Sequence, residues 1–225
     1  AGDRLGLDAA ELEQLLSETP SDLVEGVHVY VGTNFLHAEE MFPTLTAFFA
    51  VASRFPNLRY VNVGGGVGVD YARTSAPFDI ERFGRELTRL HGGLSAAQPL
   101  ELYFEPGRSL AASAGVFLSR VTDLKTLNGT TFVACDGSVA VFPRPFHQPE
   151  SPHRVRTLNE RKGEREVVVV GRTTFSRDIL ARCVLPADLQ VGDILAFEDA
   201  GAYCSSMASR FLGQPEPATI FFESE

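Results

Sequence analysis

Lysine is nearly absent from this sequence: Lys125 and Lys162 are the only two in 225 residues. The remaining positive charge is arginine, and 29 acids against 20 bases leave a net charge of −9 with no basic run. That excludes nucleic acid and an anionic membrane as expected partners. Cysteine is scarce too. Cys135, Cys183 and Cys204 are odd in number and widely spaced, so they fit neither a disulfide framework nor a zinc site. No metal is expected, and a reducing, cytoplasmic setting follows. No apolar run approaches the length of a membrane span, and the first residues lack a signal-peptide pattern.

What is present suffices for a sizeable core: 44% hydrophobic residues, with 20 glycines and 13 prolines as punctuation. Residues 7–18 have helical apolar spacing, with Asp8 placed to cap them. Strands are predicted at 27–31, 58–63 and 100–104, with helices at 36–53 and 78–92 between them. This alternation is that of parallel β/α units. From about Ala114 the texture changes to short β-rich runs at 116–125, 131–135, 166–170, 179–184, 194–197 and 218–222. A short helix near 205–211 is the one interruption expected. The second half therefore reads as an antiparallel β domain, and the polar, proline-bearing stretch 146–165 as a mobile loop. The expected domains are 1–113 and 114–225. Three parallel strands alone would leave unpaired edges, so the first domain reads as the back end of something larger.

The most informative stretch is 102–108, Leu-Tyr-Phe-Glu-Pro-Gly-Arg. An apolar strand ends there on Glu105, which needs a cationic or hydrogen-bonding partner if buried. Gly107 permits close approach of a ligand, and Arg108 offers a planar fork for phosphate or carboxylate. A surface ion pair at a strand end would account for the same residues. The turn Gly64-Gly65-Gly66-Val67-Gly68 also follows a strand, where converging N–H groups can cradle an anion; a plain tight turn is the alternative. Tyr30, at a strand end and on the same face as His28, could lie against a flat ligand or simply fill a core. Tyr203, after Asp199-Ala200-Gly201-Ala202, is either a phenol aimed at a ligand oxygen or part of a turn. Arg144-Pro145 and Gly171-Arg172-Thr173-Thr174 carry weaker signals.

Together, GVHVYVGT, NVGGGVGVDY, YFEPGRSLAASAGVFLSRV, FPRP, GRTTFSRDILA and VGDILAFEDAGAYCSSMASRF resemble the fold-type III pyridoxal-phosphate decarboxylases. That family includes the diaminopimelate, ornithine and arginine decarboxylases. The resemblance runs from about Asp3 to Ile220 and covers only the later half of a full-length member. It implies the C-terminal part of a (β/α)8 TIM-like barrel followed by an antiparallel β domain, and a homodimer with shared active sites. It implies pyridoxal 5'-phosphate as cofactor. Tyr30 stands where the family usually has a ring-stacking histidine, and Thr33 replaces a serine near the phosphate. Gly64, Gly65 and Gly66 match the phosphate loop, and Glu105 the partner of the pyridine nitrogen. Gly107 and Arg108 match the phosphate and substrate-carboxylate end, Tyr203 a phosphate-bound phenol, and Arg144 an arginine that holds a substrate carboxylate.

The departures narrow what this implies. The family's cofactor-bound lysine belongs to an early barrel strand outside this sequence, and neither Lys125 nor Lys162 is placed to substitute. A separate segment or chain would have to supply it. Thr174 and Phe175 occupy the usual cysteine and acidic positions, and Gln148 replaces a tyrosine. A hydroxyl donates a proton poorly beside a thiol, and loss of the acid removes the partner of a distal ammonium. The expected activity is decarboxylation of an α-amino acid, or an intermediate derived from one, with a non-basic distal end; Thr174 acts beside Glu105, and Phe175 faces the substrate. The alternative is a catalytically inactive homologue kept for binding or regulation.

Overall fold

The computed structural model describes residues 5–96 and 99–223. It divides into two compact units, one formed by Ala1–Val69 with Ser75–Ser109 and the other by Asp70–Thr74 with Leu110–Glu225.

The first unit opens with helix α1 (Ala9–Glu18), capped as its sequence requires. Asp8 Oδ1 accepts from the N–H groups of Ala10 and Glu11, and the Glu11 carboxylate accepts from the Asp8 N–H. Such a reciprocal cap is worth about 1 kcal/mol. Strands β1 (Gly26–His28), β2 (Tyr60–Asn62) and β3 (Glu101–Tyr103) form a parallel sheet in that order. In register, Val27, Val61 and Leu102 lie side by side. Helix α2 (Phe42–Ala52) follows β1 and α3 (Ile80–Ser95) follows β2. The predicted helix 36–53 is thus shorter at its start, where a 3-10 turn (Ala38–Glu40) precedes it and Pro43 sits in the first turn of α2. A proline fits there because the first helical N–H groups have no intrahelical acceptor.

Strand alternation splits the sheet into two faces. Val61 and Val63 point into a core with Leu45, Phe48, Phe49, Phe83 and Leu87. Tyr60, Asn62 and Tyr103 point the other way, and the two tyrosine rings meet edge to face at 5.3 Å. That second face stays half exposed, with Tyr60 at 39% and Tyr103 at 47%.

The second unit begins with a short helix α4 that starts at Gly107 in the first (Gly107–Ala111) and carries the chain across. Strands β4 (Phe117–Leu127), β5 (Thr130–Cys135), β6 (Val155–Thr157), β7 (Arg165–Val170), β8 (Ile179–Leu185) and β9 (Ile194–Phe197) make one sheet, in the order β6-β9-β4-β5-β7-β8. Asn128 and Gly129 turn β4 into β5 with φ of 48° and 79°, the left-handed pair that a two-residue hairpin needs. The expectation of an antiparallel domain needs one correction: β5 and β7 pair in parallel, so the sheet is mixed. The outer strands β6 and β8 also contact each other, bringing the sheet close to closure.

Three local expectations are also corrected. The stretch 146–165 is not a bare loop: it contains the end of helix α5 (Arg144–His147) and all of β6, which pairs with β9. Residues 218–222 form no strand, and Ile220, Phe221 and Phe222 are exposed. The helix expected at 205–211 is two 3-10 turns, Ser205–Met207 and Phe211–Gly213.

The 159–163 segment is tied down by Arg161, which makes a two-pronged bond to buried Asp193 at 2.6 and 2.8 Å. The Gln190 N–H also donates to Asp193. The Arg161 hydrogen bonds, aided by that N–H, hold the Asp193 carboxyl below its usual range. Because the folded value lies below the unfolded one, the stabilisation is complete above the ordinary aspartate pKa of about 3.9 and is lost as pH falls through the depressed folded value. Asp193→Ala leaves Arg161 without its carboxylate and should cost about 3 kcal/mol at neutral pH. Urea unfolding across pH should show the difference from the parent chain shrinking below about pH 4.

Candidate functional site

The three parallel strands end level with one another, and the segments that follow them carry eight of the predicted site residues: Tyr30 and Thr33 after β1, Gly64, Gly65 and Gly66 after β2, and Glu105 after β3 with Gly107 and Arg108 at the start of α4. These loops are stitched together by backbone bonds. The Glu105 N–H donates to the Gly64 carbonyl at 2.8 Å, and the Phe35 N–H to the Gly66 carbonyl at 2.9 Å.

The glycines are required by this stitching. A Cβ on Gly65 would sit 2.3 Å from the Glu105 carbonyl oxygen, and one on Gly64 2.5 Å from that of Val29. Gly64 and Gly66 also hold φ of 66° and 96°, which side-chain-bearing residues rarely adopt. Glycine here serves backbone against backbone, as the tight-turn alternative requires. The turn nevertheless leaves donors open: among the described residues, the Gly65 and Gly66 N–H groups meet no protein acceptor, and both residues are partly exposed. Gly107, by contrast, faces open space, and its N–H donates to the Glu105 carbonyl.

Glu105 is exposed, so its environment differs from the buried carboxylate considered from sequence. Its partner is Asn62, whose Nδ2 donates to Glu105 Oε1 at 2.7 Å while its Oδ1 accepts from the Gly64 N–H at 2.9 Å. Sequence reading missed Asn62; its only signal was a polar residue two places before the triple glycine. Arg108 is buried to 6% exposure and reaches the Thr33 hydroxyl at 3.4 Å. Tyr30 lies beyond the end of β1 and is 53% exposed, which removes the core-filler reading.

The other four predicted residues lie in the second unit. Arg144 is 1% exposed, its guanidinium donating to the Ser151 carbonyl and hydroxyl at 2.8 and 3.1 Å. It also lies 3.2 Å from the centre of the Tyr71 ring, which is itself fully buried. In this arrangement stacking on Tyr71 and hydrogen bonds to Ser151 hold the guanidinium. Thr174 is exposed on the turn before β8, and Phe175 beside it packs near Phe146 and Phe211 at 5.7 and 5.9 Å. The Arg177 guanidinium lies 4.8 Å from the Phe146 ring. This turn is held by buried Asp178, which accepts from the N–H groups of Val139 and Thr173 and from the Thr173 hydroxyl. Tyr203 is 44% exposed in a left-handed conformation, φ 57°. Its loop is fixed by bonds from the Ala200 and Gly201 N–H groups to the carbonyls of Gly115 and Ala112.

Lys125 and Lys162 both lie in the second unit and are exposed. None of Cys135, Cys183 and Cys204 is in a disulfide; burial raises the pKa of Cys183 to about 11 and shifts that of Cys135 upward. Among the described residues, no cluster of three or more His, Cys, Asp or Glu side chains is placed to hold a metal, and no helix is long and apolar enough to cross a membrane.

Residues 20–201 match the family described as pyridoxal-dependent decarboxylase, C-terminal sheet domain. The chain is 32% identical over 208 residues to a diaminopimelate decarboxylase of Archaeoglobus fulgidus, spanning 89% of this chain and 49% of that protein. It is 34% identical over 225 residues to one from Actinosynnema pretiosum subsp. auranticum, spanning 96% and 50%. A crystal structure of the Helicobacter pylori diaminopimelate decarboxylase complexed with L-lysine superposes with a TM-score of 0.78 at 28% identity, covering 91% of this chain and 51% of that one. The chain thus spans about half the length of these relatives. From its strand-end loops to its mixed sheet, this chain belongs to the pyridoxal-dependent decarboxylases.

Proposed function

We propose that this chain is the later portion of a pyridoxal-phosphate-dependent decarboxylase acting on an α-amino acid, or an intermediate derived from one, with a non-basic far end. A complementary β/α segment, or a separate chain, completes a (β/α)8 barrel and supplies the lysine. The working form is a homodimer with shared active sites. One observation carries the reading: the loops after β1, β2 and β3 bring open backbone donors, a buried arginine fork and an oriented carboxylate to one end of one sheet.

The residues fit the cofactor at two ends. The open N–H groups of Gly65 and Gly66 suit a phosphate, with Arg108 and Thr33 beside them, and Tyr203 is assigned to the same group. Glu105 would accept from the protonated pyridine nitrogen, and Tyr30 would lie against the ring. When bound, the cofactor supplies an electron sink for the pair left behind as carbon dioxide departs. The chain's own residues bind and orient: a charge-assisted contact such as that of Glu105 is worth about 1.5–3 kcal/mol. Thr174 offers a hydroxyl near the substrate. Phe175, where an acid would bind a distal ammonium, favours an apolar or bulky side chain, and its contacts with Phe146 and Phe211 support that choice. Arg144 would need to leave Ser151 to meet a substrate carboxylate.

The test is carbon dioxide release from a panel of α-amino acids by the chain supplied with its lysine-bearing complement and pyridoxal phosphate. Turnover should be highest for neutral, apolar side chains. Glu105→Ala should lower kcat about a hundredfold, the equivalent of the contact above, with an unchanged unfolding midpoint because the residue is exposed. Near-normal turnover in that variant would refute the nitrogen-binding role. Cofactor binding without turnover of any amino acid would favour the inactive, regulatory homologue, for which the Thr174 and Phe175 replacements speak.

A further inference from the structure

We infer that Asn62 is a positioning residue that sets the Glu105 carboxylate before any ligand arrives; this rests on the cofactor reading above. The Gly64 N–H can only donate, so the Asn62 oxygen must face it and the Asn62 NH2 must face Glu105. The amide orientation is therefore dictated by the network. A closed loop results: Gly64 N–H to Asn62, Asn62 to the Glu105 side chain, and Glu105 N–H back to the Gly64 carbonyl.

This loop does two things. It restrains a long, exposed side chain that would otherwise sample several rotamers, so ligand binding need not order it. It also uses Oε1 alone and leaves Oε2 to accept from a ring N–H. Because the same asparagine holds the first residue of the glycine turn, the acid and the anion cradle share one anchor. Nothing else in contact with Glu105 Oε1 among the described residues does this.

The probe is pyridoxine 5'-phosphate, which keeps the ring and phosphate but has no aldehyde and so needs no lysine. Its binding is measured by calorimetry for the parent chain, Asn62→Ala, Glu105→Gln and the double variant. Asn62→Ala should weaken binding about tenfold, or ~1.4 kcal/mol. In the Glu105→Gln background the same change should cost clearly less, about threefold, because the part that runs through Glu105 is already lost and only the Gly64 anchor remains to be broken. Undiminished loss in that background, or no loss in the single variant, would overturn the inference. A second measurement needs no ligand: the Asn62 side-chain amide protons, followed by NMR, should shift on Glu105→Gln. Unmoved resonances would overturn the positioning role. A parent chain that binds no pyridoxine phosphate while those resonances do shift would sink the cofactor reading and leave the positioning intact.

Discussion

A Gly201→Ala chain should lose the cooperative fold of its β unit. The added Cβ would lie 1.9 Å from the Ala111 carbonyl oxygen and 3.0 Å from the Gly115 nitrogen, both backbone atoms that cannot swing aside. The clash falls where Gly201 and Ala200 N–H groups bind the carbonyls of Ala112 and Gly115, so relief on one side breaks bonds on the other. Overpacking of this severity belongs among the rare changes that cost more than about 4 kcal/mol. Urea unfolding followed by near-ultraviolet circular dichroism would measure it. Gly92→Ala in α3 is the internal comparison: nothing lies within 4 Å of its Cβ, and the change should stabilise by about 0.5–1 kcal/mol. Equal behaviour of the two variants would show that the tight backbone approach at Gly201 is not real.

Gly65→Ala is expected to be nearly as damaging, and for a different reason from the one the motif suggests. The motif alone would have a side chain there fill the space of a bound phosphate. Its first obstacle is the Glu105 carbonyl, 2.3 Å away, so the segment after β3 must move before any ligand is met. The expected result is a stability loss of about 3 kcal/mol together with loss of pyridoxine phosphate binding. Thermal unfolding and calorimetry on the same preparation distinguish the cases. Lost binding with unchanged stability would restore the older explanation.

Gly65 also illustrates what a sequence can convey. Strand cores such as 194–197 were legible because apolar runs bounded by turn residues have few other uses, and β9 occupies those residues. Pairing direction was not legible: the apolar character of β5 and β7 is the same whichever way the neighbour runs, so their parallel contact was invisible. Strand β6 has three residues between arginine-rich and polar segments, too few for a period to register. The opposite error occurred at 218–222, where a β-like composition has no strand partner. At the candidate site, the chemistry-bearing types stood out because glycine runs and a strand-terminal carboxylate are unusual. Asn62 did not, since its role depends on a residue 43 positions away arriving within 2.7 Å. Arg144 was recognised as a charge, but its stacking on Tyr71 depends on a segment far upstream and cannot be inferred from local pattern.

The strand order of the β unit restricts how it can be made. β9, the last strand among the described residues, lies between β6 and β4, so the sheet stays in two pieces until residues 194–197 emerge. During synthesis β4, β5, β7 and β8 can join as they appear, but β6 waits for an edge that does not yet exist. Strand-by-strand growth on the ribosome is thereby interrupted at this sheet, and its closure waits for residues 194–197.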